Sequence, residues 1–169
     1  GYQSIHCCQK TYNGVSIISK AKATDVEYNP VNVNDEEKRS IAATFNGIRV
    51  INFYVVNGQA LNSDKYNHKL VWLEQAKKYI KMQLIKYPKL NVLGDFNIVP
   101  NESDAHDFSS DDILCSLKER EALKSIIKLG LYDSYIEKDT DSPYTWWDYR
   151  GGAFHRDIHL KQNIELPRI

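Results

Sequence analysis

An α/β fold in a single domain is what this chain predicts, on three observations. Strand-type segments alternate with segments of helical period along the chain. A proline closes the longest helical segment immediately before a strand. And 42% of the 169 residues are hydrophobic while no long apolar run occurs, a composition that suits one buried core. No repeat, low-complexity tract or linker divides the chain into two domains.

Each element has its own signal. Asn13 to Ser19 predicts a strand, with Val15, Ile17 and Ile18 following the Asn13-Gly14 turn. Ser40 to Val56 reads as two strands joined through Asn46-Gly47, a strong hairpin pair. All of these are expected in the central sheet. From Tyr66 to Tyr87, the residues Leu73, Ala76, Ile80, Leu84 and Tyr87 recur at helical spacing, and Pro88 stops the helix before the strand Leu90 to Leu93. Pro100 to Asp112 is a polar, acidic loop. Ser116 and Glu119 form a capping box for a second helix through Leu123, Ile126 and Ile127, which Gly130 closes.

Gly94-Asp95-Phe96-Asn97 carries the chemistry. A carboxylate and a carboxamide two residues apart at the end of a strand suit work on a phosphate diester. Strand alternation would put both on one side, where the Asp holds Mg²⁺ or activates water and the Asn amide steadies the same phosphate. The same letters are good turn chemistry, so the spacing alone leaves both readings open. Three cysteines, Cys7, Cys8 and Cys115, are odd in number and lack Cys-x-x-Cys spacing, which predicts reduced thiols. His6-Cys7-Cys8 cannot converge on a metal, because neighbouring strand residues point to opposite faces. His155-Arg156-Asp157 resembles a kinase catalytic loop, but the asparagine such a loop needs is replaced by Gln162 and no glycine-rich loop precedes it. Residues 1 to 20 hold neither a basic leader nor a sustained apolar stretch, so the expected location is cytoplasmic with no membrane partner.

Net charge is zero and the isoelectric point is about 7.1, which argues against strong nonspecific affinity for nucleic acid. A local basic rim remains compatible with neutrality, since a carboxylate-rich centre offsets it. Lys10, Lys20, Lys22, Arg150, Arg156 and Lys161 are candidates for such a rim.

Four segments occur in order: Gln9-Lys10-Thr11-Tyr12-Asn13-Gly14-Val15, Tyr54-Val55-Val56-Asn57-Gly58-Gln59, Gly94-Asp95-Phe96-Asn97-Ile98 and Tyr144-Thr145-Trp146-Trp147-Asp148-Tyr149-Arg150. Together they resemble the exonuclease III family of DNA-repair nucleases, which lies within the endonuclease/exonuclease/phosphatase superfamily. The resemblance runs from Gly1 to about Arg156, so residues 1–156 read as the central portion of the nuclease domain and 157–169 as a divergent tail. It implies a four-layer α/β sandwich, incomplete here because edge elements are missing. It also implies Mg²⁺, or Mn²⁺ in its stead, and hydrolysis of double-stranded DNA at 3′ ends and abasic sites by a monomer.

By the same resemblance, Tyr54 matches a tyrosine that contacts the phosphate under attack. Asp95 matches the aspartate that orients or deprotonates the attacking water, and Asn97 the asparagine that fixes the phosphate and frames the metal site, so that Asp95 and Asn97 are the metal candidates. Lys10, Tyr12, Asn13 and Asn57 match backbone-contacting loops. Trp146 matches the wall of a pocket for an abasic sugar. Arg150 is open to two readings, reaching phosphate or covering the Trp rings, and Trp147 is expected in the core because neighbouring strand residues face opposite ways. Asp104 falls where the family keeps an acidic residue, but its acidic loop predicts a solvated side chain.

Departures from the pattern set the expectation for activity. The Trp-Asn-Val-Asn-like strand and the Gln-Glu strand with the principal metal ligand are not among these residues. Nor are the later Ser-Asp-His letters. Ungapped alignment through Gly151-Gly152-Ala153-Phe154 puts Asn163 where a catalytic aspartate belongs, while Ile136 replaces an arginine and Val56 a proline. The chain is therefore expected to be a DNA-repair nuclease by descent and, in its own activity, an inactive fragment with at most weak DNA binding. A phosphoesterase for lipid or inositol phosphates is the lesser alternative.

Overall fold

The computed structural model describes residues 1–33, 36–105, 109–134, 144–147 and 159–168. Its elements in chain order are β1 (Gln3–Cys8), β2 (Gly14–Ser19), β3 (Thr24–Tyr28), β4 (Ser40–Phe45), β5 (Ile48–Tyr54), α1 (Asp64–Lys86), β6 (Leu90–Asp95), a 3₁₀ turn (Glu102–Asp104), α2 (Leu117–Ile127), β7 (Trp146–Trp147), β8 (His159–Leu160) and β9 (Asn163–Arg168).

Asn46 and Gly47 both take left-handed backbone, with φ of 49° and 81°. A two-residue hairpin turn requires that conformation at both positions, and it sets β4 against β5 in antiparallel register from Phe45–Ile48 to Ser40–Phe53. Helix α1 begins at a Ser63 cap, whose Oγ accepts from the Tyr66 N–H at 3.1 Å. It ends at Tyr87, just before Pro88, and returns the chain to a strand parallel to β5. The capping box of α2 forms as read, with Ser116 and Glu119 satisfying each other's backbone N–H groups.

The five-stranded sheet runs β3-β4-β5-β6-β9. On one face it meets both helices: Trp72, Leu73, Ala76 and Ile80 of α1 and Leu123 and Ile126 of α2 pack on Ile51, Phe53, Val92, Ile164 and Leu166. The Phe53 and Trp72 rings meet edge to face at 5.2 Å. On the other face, Cys7 and Val15 of the β1–β2 hairpin pack on Ile41, with Ile5, Ile17 and Tyr54 against them. Helices, main sheet and hairpin sheet are three successive layers of the expected sandwich.

One expectation is corrected here. Strand β2 is not in the central sheet: it pairs with β1 along its whole length, from Cys8–Gly14 to Gln3–Ser19, and lies across the sheet face. The Asn13-Gly14 turn folds β2 back on β1. Asn52 ties the two layers by donating to the Ser16 carbonyl at 2.9 Å, and Gln9 of the hairpin turn accepts from the Lys38 N–H at 3.0 Å. Within the divergent tail, residues 163–168 form β9, paired with β6 from Asp95–Asn163 to Leu90–Arg168. Ile164 and Leu166 face the core at strand period, a signal present in the sequence, and Pro167 is tolerated because β9 is an edge. Strand β3 was not foreseen either. Its Glu27 is drawn in by Arg49, which is fully buried and also bonds Gln83 and Tyr79 of α1.

No helix among the described residues is long and apolar enough to cross a membrane. All three cysteines are free, Cys7 and Cys115 buried and Cys8 exposed. Burial pushes the Cys115 thiol up to about 11 and raises that of Cys7. At pH 8, an aromatic disulfide reagent is expected to label Cys8 quickly and the other two only on unfolding. Gly94 sits at φ 134°, and a Cβ there would lie 2.0 Å from the Phe53 carbonyl oxygen. Gly94→Ala is expected to remove roughly 3 kcal/mol or more of stability in a urea melt, because backbone and not a flexible side chain blocks the space.

Candidate active site

Strand β6 ends at Asp95 because two neighbours reach that level with it. Tyr54 is its partner on the parallel strand β5 and Asn163 its partner on the antiparallel strand β9. Three candidate groups thus lie on adjacent strands at one height of the sheet. A cleft of about 330 Å³ opens there, lined by Gly94, Asp95, Asn163, Ile164 and Glu165.

Asn97 is brought to the site by a turn, and the strand-alternation argument is corrected. The strand has ended, Asn97 takes left-handed backbone at φ 49°, and its N–H donates to Asp95 Oδ1 at 2.9 Å. That is the turn chemistry open in the sequence, and here it coexists with the functional reading. The Asn97 side chain is 4% exposed. Its Nδ2 donates to the Val55 carbonyl at 2.9 Å and its Oδ1 accepts from Asn57 Nδ2 at 3.1 Å. Asn57 is therefore occupied in orienting Asn97, while remaining exposed beside it.

Beneath this corner lies an ion pair that sequence reading missed. Lys69 and Glu119 side chains are both fully buried and bonded to each other. Lys69 Nζ also donates to the carbonyls of Asn57 at 3.1 Å and Asn97 at 2.6 Å. Glu119 accepts in turn from the N–H groups of Leu114 and Ser116 and from the Ser116 hydroxyl. One ammonium thereby ties the Tyr54–Gly58 segment, the Asp95–Asn97 corner and the start of α2. The signal available was a lysine at a core position of α1, in register with Trp72, Leu73 and Ala76.

The endonuclease/exonuclease/phosphatase family model matches residues 2–158. The chain belongs to that family. It is 28% identical over 158 residues to an exodeoxyribonuclease of Bacillus subtilis strain 168, a match covering 90% of this chain and 62% of that protein. The chain thus spans less than two thirds of that relative's length. Among solved structures, the 3′-5′ exonuclease NExo from Neisseria meningitidis superposes with a TM-score of 0.94 at 38% identity, covering 99% of this chain and 67% of the other. A structure of NExo described as a 3′ phosphatase bound to a product DNA hairpin gives 0.93 at 37% identity, with the same coverage. An AP endonuclease from Archaeoglobus fulgidus gives 0.88 at 32% identity, covering 99% and 66%.

Members of this superfamily resemble one another in working with a divalent cation, and the donors here can be tested against one. Burial holds the Asp95 carboxyl above the usual carboxylate range, with the Asn97 N–H and the Lys69 charge opposing it. Lys69 is itself depressed by burial and engaged by Glu119. A half-buried carboxylate with its nearest ammonium already paired suits a cation at the cleft. No group of three His, Cys, Asp or Glu side chains converges among the described residues. Mg²⁺ keeps several waters and often takes one or two carboxylates with substrate phosphate, so the donor set fits a weakly held ion on Asp95. Asn97, with its oxygen engaged by Asn57, frames that position.

The other anticipated residues are spread out. Lys10 and Tyr12 are exposed, Tyr12 at 91%, and Tyr12 and Asn13 make the left-handed turn between β1 and β2. Trp146 packs against the small cluster of Val99, Leu114, Cys115 and Leu160. Trp147, expected in the core, is half-buried and meets the His159 ring edge-on at 6.3 Å, outside the core clusters formed among the described residues. Asp104 is buried, contrary to the solvated reading, because it caps its own turn by accepting from Asn101 N–H and Nδ2 at 3.0 and 2.8 Å. Lys161 is withdrawn from the basic rim: it is 3% exposed and paired with Asp133 at 2.8 Å. Arg150, Arg156, Ile136 and the glycine pair at 151–152 lie outside the described residues.

Lys69→Met, which strands a buried carboxylate, is expected to cost about 3–5 kcal/mol in chemical denaturation. The double variant Lys69→Met with Glu119→Leu is expected to lose clearly less than the sum of the two single changes, since neither charge is then left alone.

Proposed function

We propose that the protein is a DNA-directed phosphodiesterase of the exonuclease III type, acting on 3′ ends and abasic sites of double-stranded DNA. The observation that carries the reading is the levelling of Tyr54, Asp95 and Asn163 on adjacent strands, with Asn97 turned in behind Asp95. The DNA-directed relatives supply the substrate class, and we extend it to this chain as a monomer working in the cytoplasm.

Each side chain has a task that follows from its surroundings. Asp95 accepts a proton from water or orients it, a role served by a carboxyl that burial holds above the ordinary range. The Asn97 amide is fixed at both ends by Val55 and Asn57, so it presents one orientation to a phosphate without reorganising. Tyr54 carries the Arg39 guanidinium over its ring at 4.9 Å, and its phenol is a donor for developing negative charge. Bound at Asp95, Mg²⁺ or Mn²⁺ would polarise a phosphoryl oxygen and lower the pKa of water.

Asn163 supports the second reading, a protein that holds DNA and turns over little. It faces Asp95 where the resemblance has an aspartate, and its Nδ2 donates to the Thr145 carbonyl at 3.3 Å. An amide there brings neither negative charge nor a proton acceptor.

The deciding assay is incision of a duplex carrying one abasic site, with Mg²⁺ and with EDTA. Asn163→Asp is expected to raise Mg²⁺-dependent incision about 100-fold. Asp95→Asn is expected to abolish whatever the parent chain shows. Incision by the parent that survives both EDTA and Asp95→Asn would sink the proposal.

A further inference from the structure

A second cleft, of about 480 Å³, lies beside the candidate active site and is lined by Glu37, Arg39, Val56, Asn57, Gly58, Gln59, Asp64, Lys65 and His68. Asn57 links the two, since it lines this cleft and its Nδ2 donates to Asn97 Oδ1 behind Asp95. Arg39 is the built part. It is 8% exposed, its face lies on the Tyr54 ring, its Nε donates to Glu37 at 2.6 Å and its Nη1 to the Tyr54 carbonyl at 3.2 Å. Among the described residues nothing bonds to Nη2.

A guanidinium immobilised on three sides, with one nitrogen left for the cleft, is a prepared receptor for an oxyanion. It has already lost the rotamer freedom that a surface arginine gives up on binding. The charges around it decide what kind of anion fits. Lys65 adds a second ammonium at the exposed rim, whereas Glu37 and Asp64 oppose it, so the cleft does not gather anions by field alone. Glu37 is anionic at neutral pH, because its hydrogen bond from Arg39 lowers its pKa. An incoming phosphate must share Arg39 with that carboxylate.

We propose that this cleft is a second phosphate subsite, which takes the phosphodiester next along the strand from the one presented to Asp95, with Arg39 as its anchor and Glu37 as the competing anion that weakens it. This rests on the nucleic-acid reading given above. A strand with consecutive phosphates occupies both clefts, which Asn57 joins by lining the second and bonding Asn97 behind the first. Arg39 is thus a positioning residue for the strand. Its loss leaves the carboxylate and amide at the Asp95 corner in place.

The pair of opposite charges makes the test sharp. Binding of a short fluorescent duplex to the whole chain is followed by anisotropy in EDTA over a range of salt. Arg39→Gln is expected to weaken binding about tenfold and to lower the slope of log affinity against log salt by about one. Glu37→Gln is expected to tighten binding about threefold or more at low salt. A structural lesion cannot produce the second result, so Glu37→Gln carries the test even where Arg39→Gln melts early. No binding by the parent chain overturns the nucleic-acid reading and the subsite with it. Binding by the parent with unchanged affinity and slope in both variants overturns the subsite alone.

Discussion

An ammonium and a carboxylate with no access to water hold this molecule's site together. Removing Lys69 and Glu119 from solvent is expensive, and their mutual attraction repays it only when every remaining donor and acceptor is also met. Here they are met by groups that have to be somewhere definite. The carbonyls of Asn57 and Asn97 take the other two Lys69 protons, and the N–H groups opening α2 take the rest of Glu119. The desolvated pair therefore dictates where three separate chain segments end. It also explains why a capping box sits at the second helix: Glu119 closes the helix and anchors Lys69 with the same carboxylate.

The corner above the pair is made by short-range chemistry. Gly94 lets β6 run against the Phe53 carbonyl where a Cβ would not fit, and the Asp95 side chain captures the Asn97 N–H. Asn97 then points back into the protein, where Val55 and Asn57 hold its amide. The Asn97 amide is fixed at one end by the Val55 carbonyl and at the other by the Asn57 side chain. Its rigidity does not depend on the groups that would complete the chemistry.

That independence bears on Asn163. An amide opposite Asp95 differs from a carboxylate in charge and basicity without affecting the strand pairing, since β9 is retained by Ile164 and Leu166 in the core. Scaffold and chemistry are separable here. A fold kept by burial can carry a site whose electrostatics have drifted, and the neutral net charge of the chain fits recognition by local receptors such as Arg39 better than recognition by a broad basic field.

Local signals were read correctly from the letters: the Asn46-Gly47 hairpin, α1 ended by Pro88 and the Ser116 cap of α2 are each decided within a few residues by backbone sterics or capping. The family was legible because its segments are contiguous in sequence, and the turn at Asp95–Asn97 because its partners lie two residues apart. What the letters left open depended on partners distant in sequence. Whether β2 joined the main sheet or lay across it, whether the tail was an appendage or the strand beside Asp95, and whether Trp146 or Trp147 packed inward were matters of which surfaces found each other. The same holds for Lys69 and Lys161, two charged residues that composition assigns to solvent. Their burial follows from acceptors supplied by the folded chain, Glu119 with the loop carbonyls for Lys69 and Asp133 for Lys161, and a charge enters a protein interior only where such partners are already assembled.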